Sequence, residues 1–235
     1  MSLADILRDL VTANRILANE GVVDAYGHIS VRHPDRSDRF YLSCSRSPEL
    51  VTLDDIIEYD LDCNPIDQRG RTQYVERPIH GAIYRKRPDV LSVVHNHAYE
   101  VIPFTVARGV KLRPLLHTAA GIGADIPLWD IHDKFGDTNM LVTNGEQGDD
   151  LANSLGANRV VLMRGHGTAV AGDSIQDAVH TSVYLKVNAQ LQTEALRLSR
   201  DVAYLSDGEI AAMQKSRAGH ARVWEYWSRR AGISA

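Results

Sequence analysis

The chain has 235 residues, 44% hydrophobic and 24% charged, with a formal net charge of −4. That length holds a substantial buried core, and an acidic balance without any basic run argues against a general nucleic-acid binder. No apolar run approaches the roughly 18 residues of a membrane span. The N-terminus lacks a basic and an apolar signal region, and two cysteines, Cys44 and Cys63, are too few for a disulfide framework, so reduced thiols in a cytoplasm are expected.

Ser2 and Asp5 make a capping-box pattern, and Leu3, Ile6, Leu7, Leu10, Ile16 and Leu17 keep a helical stripe until Gly21. Residues 29–31 alternate as a short strand, 34–39 read as a hairpin-type loop and 40–42 as the returning strand. A polar loop spans 43–48, Thr52 and Asp55 cap a short turn, and 56–61 read as another strand before a turn at 62–65. Pro78 suits a first helical turn, with Ile79, Ile83 and Tyr84 as its apolar stripe up to Pro88. Residues 90–94 form an apolar strand that ends abruptly in His95-Asn96-His97. A helix is predicted over 99–107, closing at Gly109. From 111 to 140 the chain is rich in Gly, Pro and His, with short strands only near Leu115 and at 126–128. A helix over 149–155 stops at Gly156, and a second apolar strand, 159–163, runs into Arg164-Gly165-His166-Gly167. Asp173 with Gln176 caps the longest helix, about 174–198. Ser206 with Glu209 caps another, and Trp224 and Trp227 lie in a final amphipathic stretch. No linker or repeat separates two cores, so residues 1–235 are expected to form one α/β domain, its sheet mixed because of the early hairpin and covered by helices.

Residues i and i+2 of a strand point to the same side, so His95 and His97 can address one point in space, as two ligands of a transition metal would. Taken alone, the pair is as readily a polar strand end. His166 repeats the pattern in a glycine-flanked turn, where structural roles are commoner than metal binding. Glu76, at the mouth of a helix, taken singly favours the helix N-terminus by about 0.3–1 kcal/mol.

Taken in order, Glu76, His95, His97 and the distant Gly-His-Gly of His166 resemble the class II aldolase/adducin family. Gly27-His28-Ile29-Ser30-Val31-Arg32, Arg77-Pro78-Ile79-His80-Gly81-Ala82-Ile83-Tyr84, Arg87-Pro88-Asp89-Val90 and Leu162-Met163-Arg164-Gly165-His166-Gly167 extend the resemblance over roughly residues 3 to 200. It implies a three-layer α/β/α fold around a mixed, largely antiparallel sheet. It implies one divalent ion per chain (Zn, Mn, Co or Fe) held by His95, His97 and His166, with Glu76 as a ligand or as the acid/base. Ring-shaped homotetramers with sites near subunit interfaces are implied as well.

The departures from the family's sugar-phosphate aldolases concern the phosphate. Those enzymes carry Gly-Asn where this chain has Gly27-His28, and a Ser-Gly turn where it has residues 43–47. Where they carry a Ser-Ser pair, it has Tyr74 and Val75, which offer no hydroxyl pair and crowd a phosphate. The Gly-His-Ile-Ser segment, the run at 45–51 and Leu112-Arg113-Pro114-Leu115-Leu116-His117 resemble instead a decarboxylase branch acting on hydroxylated pyridine dicarboxylates and dihydroxyphthalate-like acids. The expectation is therefore a carbon–carbon lyase, a metal-dependent decarboxylase of a hydroxylated aromatic, heteroaromatic or unsaturated carboxylic or dicarboxylic acid. Glu76 is expected as acid/base, with His28 or His80 next. His28, Ser43, Ser45, Arg46 and His117 are expected around the substrate, since guanidinium matches a carboxylate. The alternatives are an aldolase on a hydroxy-keto substrate and a non-catalytic adducin-like binding protein. His33, His132, His180 and His220 are expected on the surface or on helix faces, and Trp224 and Trp227 as packing anchors.

Overall fold

The computed structural model describes residues 2–216 and 220–233. Its centre is a seven-stranded sheet in the order β3-β2-β1-β4-β7-β6-β5. The strands are β1 His28–Arg32, β2 Arg39–Ser43, β3 Ile56–Asp60, β4 Ser92–Asn96, β5 Leu128–Trp129, β6 Val160–Met163 and β7 Gly167–Gly172. All neighbours are antiparallel except β5 and β6. The helices are α1 Leu3–Asn19, α2 Pro78–Lys86, α3 Ile102–Val106, α4 Ile131–Phe135, α5 Gly145–Leu155, α6 Ile175–Leu198, α7 Asp207–Ser216 and α8 His220–Arg230. Among them none is long and apolar enough to cross a membrane.

Alternation along the strands divides the core in two. Ile29, Val94, Val160, Leu162 and Val170 pack with Leu10, Ile16 and Leu17 of α1 and Val179 and Leu185 of α6. Their neighbours Val93, Val161, Met163, Ala169 and Ala171 face the other way, onto Ile79 and Ile83 of α2 and Leu151 and Leu155 of α5. Each fully buried Val, Leu, Ile or Met among these contributes about 1.5–3 kcal/mol. The layers are thus helix, sheet, helix, as expected. His95 shares the parity of Val93, which puts its ring on the α2 side.

Several elements differ from the sequence expectation. β7 was not anticipated, because Gly-Thr-Ala-Val-Ala-Gly carries few β-branched residues; small residues are required there since β4 and α6 press against it. A Cβ on Gly172 would meet Ala178 N at 2.7 Å. No strand forms near Leu115, where a 3-10 turn, His117–Ile122, packs on α6 and α7 instead. α3 is shorter than residues 99–107, and α5 starts earlier, with Asn144 accepting from Gln147 N–H. The cap of α6 is Ser174, not Asp173: its hydroxyl accepts from Asp177 N–H.

α2 is tied to the sheet through a buried cation. Arg32, on β1, donates to the carbonyls of Val90 (2.9 Å), Tyr84 (2.8 Å), Arg87 (3.0 Å) and Ser37 (2.6 Å). A cation at the C-terminal end of α2 also complements the helix dipole. The helix is thereby fixed over β1 and β4, with Glu76 just before its first turn and His80 facing the strands.

Candidate metal centre

Four side chains converge where β4 ends. His95 is the last inward residue of that strand, and His97 follows it on the same side. His166 comes from the three-residue turn between β6 and β7, where Gly165 adopts φ +61°. That turn is pinned: Gly165 N–H donates to Thr105 Oγ1 (2.9 Å), Arg164 N–H donates to the Trp129 carbonyl (2.9 Å), and the Arg164 guanidinium pairs with Asp130. Glu76 completes the set from the loop before α2. One ligand atom from each of Glu76, His95, His97 and His166 lies within 4.8 Å of all the others.

The orientation of each group suits metal binding. His95 donates Nδ1–H to the Thr168 carbonyl at 3.0 Å, which leaves Nε2 as a lone pair aimed at the cluster; such an outer hydrogen bond fixes the tautomer of a ligating histidine. His97 Nε2 stands 3.0 Å from that nitrogen. The Glu76 carboxylate is split between two tasks. Its Oε1 accepts the Val142 N–H at 3.0 Å, and its Oε2 lies 3.4 Å from His95 Nε2 and 3.5 Å from His166 Nε2. Both ring nitrogens of His166 are buried without a hydrogen-bond partner of ordinary geometry, which such a group seldom tolerates unless something else satisfies it. Burial acts to raise the Glu76 pKa, but His95 and His166 outweigh it and hold the carboxyl well below its usual range. Burial, with His95 and His166 adding to it, brings His97 down to about 4. Three imidazoles beside a carboxylate are the donor set of a divalent transition ion, and the four residues fit one.

The cluster floors a cavity of about 740 Å³ walled by Ala25, Tyr26, His28, Tyr74, Val75 and Leu141, with Ser45, Arg46 and Ser47 at one side. His28 enters through register: it pairs directly with His95 across β1 and β4, their ring centroids 5.2 Å apart. Tyr74 lies against His28, centroids 4.4 Å apart, and its hydroxyl donates to the Arg46 carbonyl. Arg46 reaches Asp55 at 3.1 and 3.2 Å, so an acidic partner holds its guanidinium in place.

Three of the anticipated residues stand elsewhere. His80 is fully buried behind His28 and does not reach the wall; its Nε2 is 2.7 Å from His28 Nδ1. Ser43 is wholly buried at the end of β2, behind the wall and beside the Tyr74 phenol. His117 lines a separate cavity of about 160 Å³ with His180, His220, Arg159 and Asp177, because the 3-10 turn carries it to the α6 side of the sheet. His180 lies on a face of α6, half-buried: its ring packs 4.6 Å from that of His220 and against Trp227. Sequence reasoning missed Tyr26, Leu141 and the contacts behind His28, namely Ser30 and Tyr84. Ser30 lies two residues from His28 on the same strand face and Tyr84 four residues from His80 on α2, spacings that place them in line.

Comparison with known proteins agrees with this geometry. Residues 8–193 match the family described as Class II Aldolase and Adducin N-terminal domain. The chain is 35% identical to the decarboxylase tropJ of Talaromyces stipitatus, over 95% of this chain and 92% of that protein. It is 28% identical to a 3,4-dihydroxyphthalate decarboxylase of Arthrobacter keyseri, over 87% and 84%. An aldolase II superfamily protein from Pseudomonas syringae superposes with a TM-score of 0.79 at 20% identity, covering 97% of this chain and 92% of that one. With the ordered histidines, the layered sheet and a match across most of its length, the chain belongs to the class II aldolase/adducin family.

Proposed function

We propose that the protein is a divalent-metal-dependent carboxy-lyase that removes carbon dioxide from a small hydroxylated aromatic, heteroaromatic or unsaturated carboxylic or dicarboxylic acid. The observation that carries this reading is a complete His95, His97, His166 and Glu76 set beneath a wall of Tyr74, Val75 and His28. That wall suits a flat carboxylic acid: Tyr74 and Val75 stand where the family's phosphate-binding members carry a serine pair, and the hydroxyls of Ser45 and Ser47 flank Arg46 at the cavity side instead. The two decarboxylases named above support the same class.

The three histidines would hold the ion, with Glu76 Oε2 as fourth donor or as the base beside it. Zinc, manganese, cobalt and iron all suit such a nitrogen and oxygen set. When bound, the ion supplies Lewis-acid polarisation of the substrate's hydroxyl or keto oxygen. Arg46, with Ser45 and Ser47, receives a carboxylate at the cavity side. Glu76 Oε2 takes the proton of the ring hydroxyl. The bond between ring carbon and carboxylate breaks, carbon dioxide leaves, and the electron pair stays with the ring. Glu76 then returns the proton to the carbon that lost it, so atoms and charge balance. A cytoplasmic homotetramer belongs to the same reading, with Tyr26 on the cavity wall and Tyr99, bonded to Asp24, as the exposed side chains a neighbouring copy would cover.

Metal analysis and carbon dioxide release test the proposal, over ortho-hydroxy aromatic acids and aldol donors. About one ion per chain and carbon dioxide from an aromatic acid are expected. A folded protein that takes up no divalent ion, or that splits aldol donors without releasing carbon dioxide, overturns it. His95→Ala should lose both metal and turnover. Glu76→Gln separates the two roles of Glu76: retained metal without turnover marks a base, lost metal a ligand.

A further inference from the structure

Behind the cavity wall runs an uninterrupted file of polar groups. His28 Nδ1 lies 2.7 Å from His80 Nε2, His80 Nδ1 lies 2.6 Å from Ser30 Oγ, and Ser30 Oγ lies 2.7 Å from the Tyr84 hydroxyl. Ser30 and His80 are wholly buried, and Tyr84 is 1% exposed. Only His28 touches the cavity, and with Nδ1 committed to His80 its remaining ring nitrogen, Nε2, is the one available to a ligand.

The far end sets the direction of the file. The Tyr84 hydroxyl is buried, and Ser30 Oγ is the acceptor in reach among the described residues, so Tyr84 donates to Ser30. Ser30 then donates to His80 Nδ1. His80 therefore carries its proton on Nε2 and donates to His28 Nδ1, which leaves the His28 proton on Nε2. The opposite direction would strand the tyrosine proton without an acceptor. Burial lowers His80 to about 3, consistent with a single proton on that ring.

We propose that Tyr84, Ser30 and His80 are positioning residues that lock His28 as the Nε2–H tautomer, giving the cavity a standing N–H donor for an oxygen of the substrate carboxylate. This rests on the carboxylic-acid reading above for the identity of the acceptor, though the tautomer itself does not. The file is a clamp rather than a proton relay. Passing a proton forward would leave a tyrosinate at its buried end, and burial pushes the Tyr84 phenol up, against ionisation. His28 therefore binds and orients, and the proton for carbon comes from elsewhere.

Nitrogen NMR of the zinc-loaded protein, labelled on histidine, reads the tautomer without any substrate. The expected wild-type spectrum has His28 protonated on Nε2. Tyr84→Phe and Ser30→Ala should each convert it to a mixture while the zinc content stays at the wild-type level. With a substrate in hand, losing one oriented donor to a carboxylate should raise KM by about 10- to 100-fold. A glutamine amide nitrogen falls near Nε2 and an asparagine one near Nδ1, so His28→Gln should retain a lower KM than His28→Asn. A wild-type His28 protonated on Nδ1, unchanged spectra in both folded file variants, or better rescue by asparagine would overturn the clamp. An Nε2–H spectrum in a protein that decarboxylates nothing would instead sink the decarboxylase reading and leave the clamp standing.

Discussion

Gly167 follows His166 and opens β7, where the strand passes close to the end of β4. A Cβ at Gly167 would lie 2.1 Å from the Asn96 carbonyl oxygen, 3.1 Å from its carbon and 3.0 Å from His97 Cδ2. Two of the obstacles are backbone, so no side-chain rotation relieves the overlap. Restoring ordinary contact, at about 3.5 Å, requires β7 to retreat from β4 by more than about 1 Å. Gly167→Ala should therefore cost about 2–4 kcal/mol, from overpacking of about 1–3 and roughly one weakened ladder hydrogen bond. The retreat separates His166 from His97, and metal sites tolerate ligand displacements of only about 0.2 Å. Metal affinity should accordingly fall by about 10- to 100-fold or more. Urea unfolding of both proteins in chelator isolates the packing cost, and metal titration under native conditions isolates the site. Gly145→Ala is the control: it meets nothing within 4 Å, at the start of α5, and should shift stability by less than about 1 kcal/mol. A Gly167→Ala protein with wild-type unfolding and metal affinity would refute the steric argument. Loss of stability with full affinity would refute the link between this contact and the ligands.

Replacing Arg32 with lysine should destabilise the chain by about 2–4 kcal/mol in urea with metal content unchanged, since an ammonium has three donors and cannot span four carbonyls. Ser174→Ala should cost about 1 kcal/mol by removing the cap of α6. Acid sensitivity should trace in part to His180, which burial first, and then His220, lowers from 6.5 to about 4, with Arg159 acting the same way and Asp177 against it. The folded chain then binds fewer protons than the unfolded one, so this contribution is present above pH 6.5 and lost as pH falls toward 4. The loss should reach about 1–3 kcal/mol, and His180→Asn should flatten the urea midpoint across that window.

The candidate metal donors were legible in the sequence as an ordered set, although none of them is decisive singly. His95 and His97 end an apolar run at strand spacing, and His166 follows a second such run between glycines. Glu76, taken singly a helix-start charge, entered that set through the family resemblance, and the structure turns its carboxylate toward His95 and His166. Properties of pairing stayed hidden. The direct opposition of His28 and His95 depends on the register of β1 on β4, and register is a tertiary choice that a five-residue strand does not encode alone. β7 escaped for a related reason, since its small residues answer to the neighbours on both sides rather than to strand propensity. His117 was misplaced because a loop rich in proline and glycine carries no period from which its side of the sheet can be read.

The same contrast separates the floor of the site from its walls. The donors His95 and Glu76 are buried and held by backbone groups, through the Thr168 carbonyl and the Val142 amide. Moving them means breaking the sheet or the seat of α2. The walls at 24–26, 45–47 and 74–75 lie in loops, fastened by a few bonds: Tyr99 to Asp24 (2.7 Å), Arg46 to Asp55, and Tyr74 to the Arg46 carbonyl. A rigid floor under adjustable walls allows one donor set to serve different carbon–carbon cleavages, with the walls choosing the substrate. His28 belongs to neither group. It faces the ligand as a wall residue does, but it sits in the sheet beside His95 and is held from behind by His80. On the proposed reading, one part of substrate recognition is built with the rigidity of the candidate metal centre, and that part would set the orientation the looser walls must accommodate.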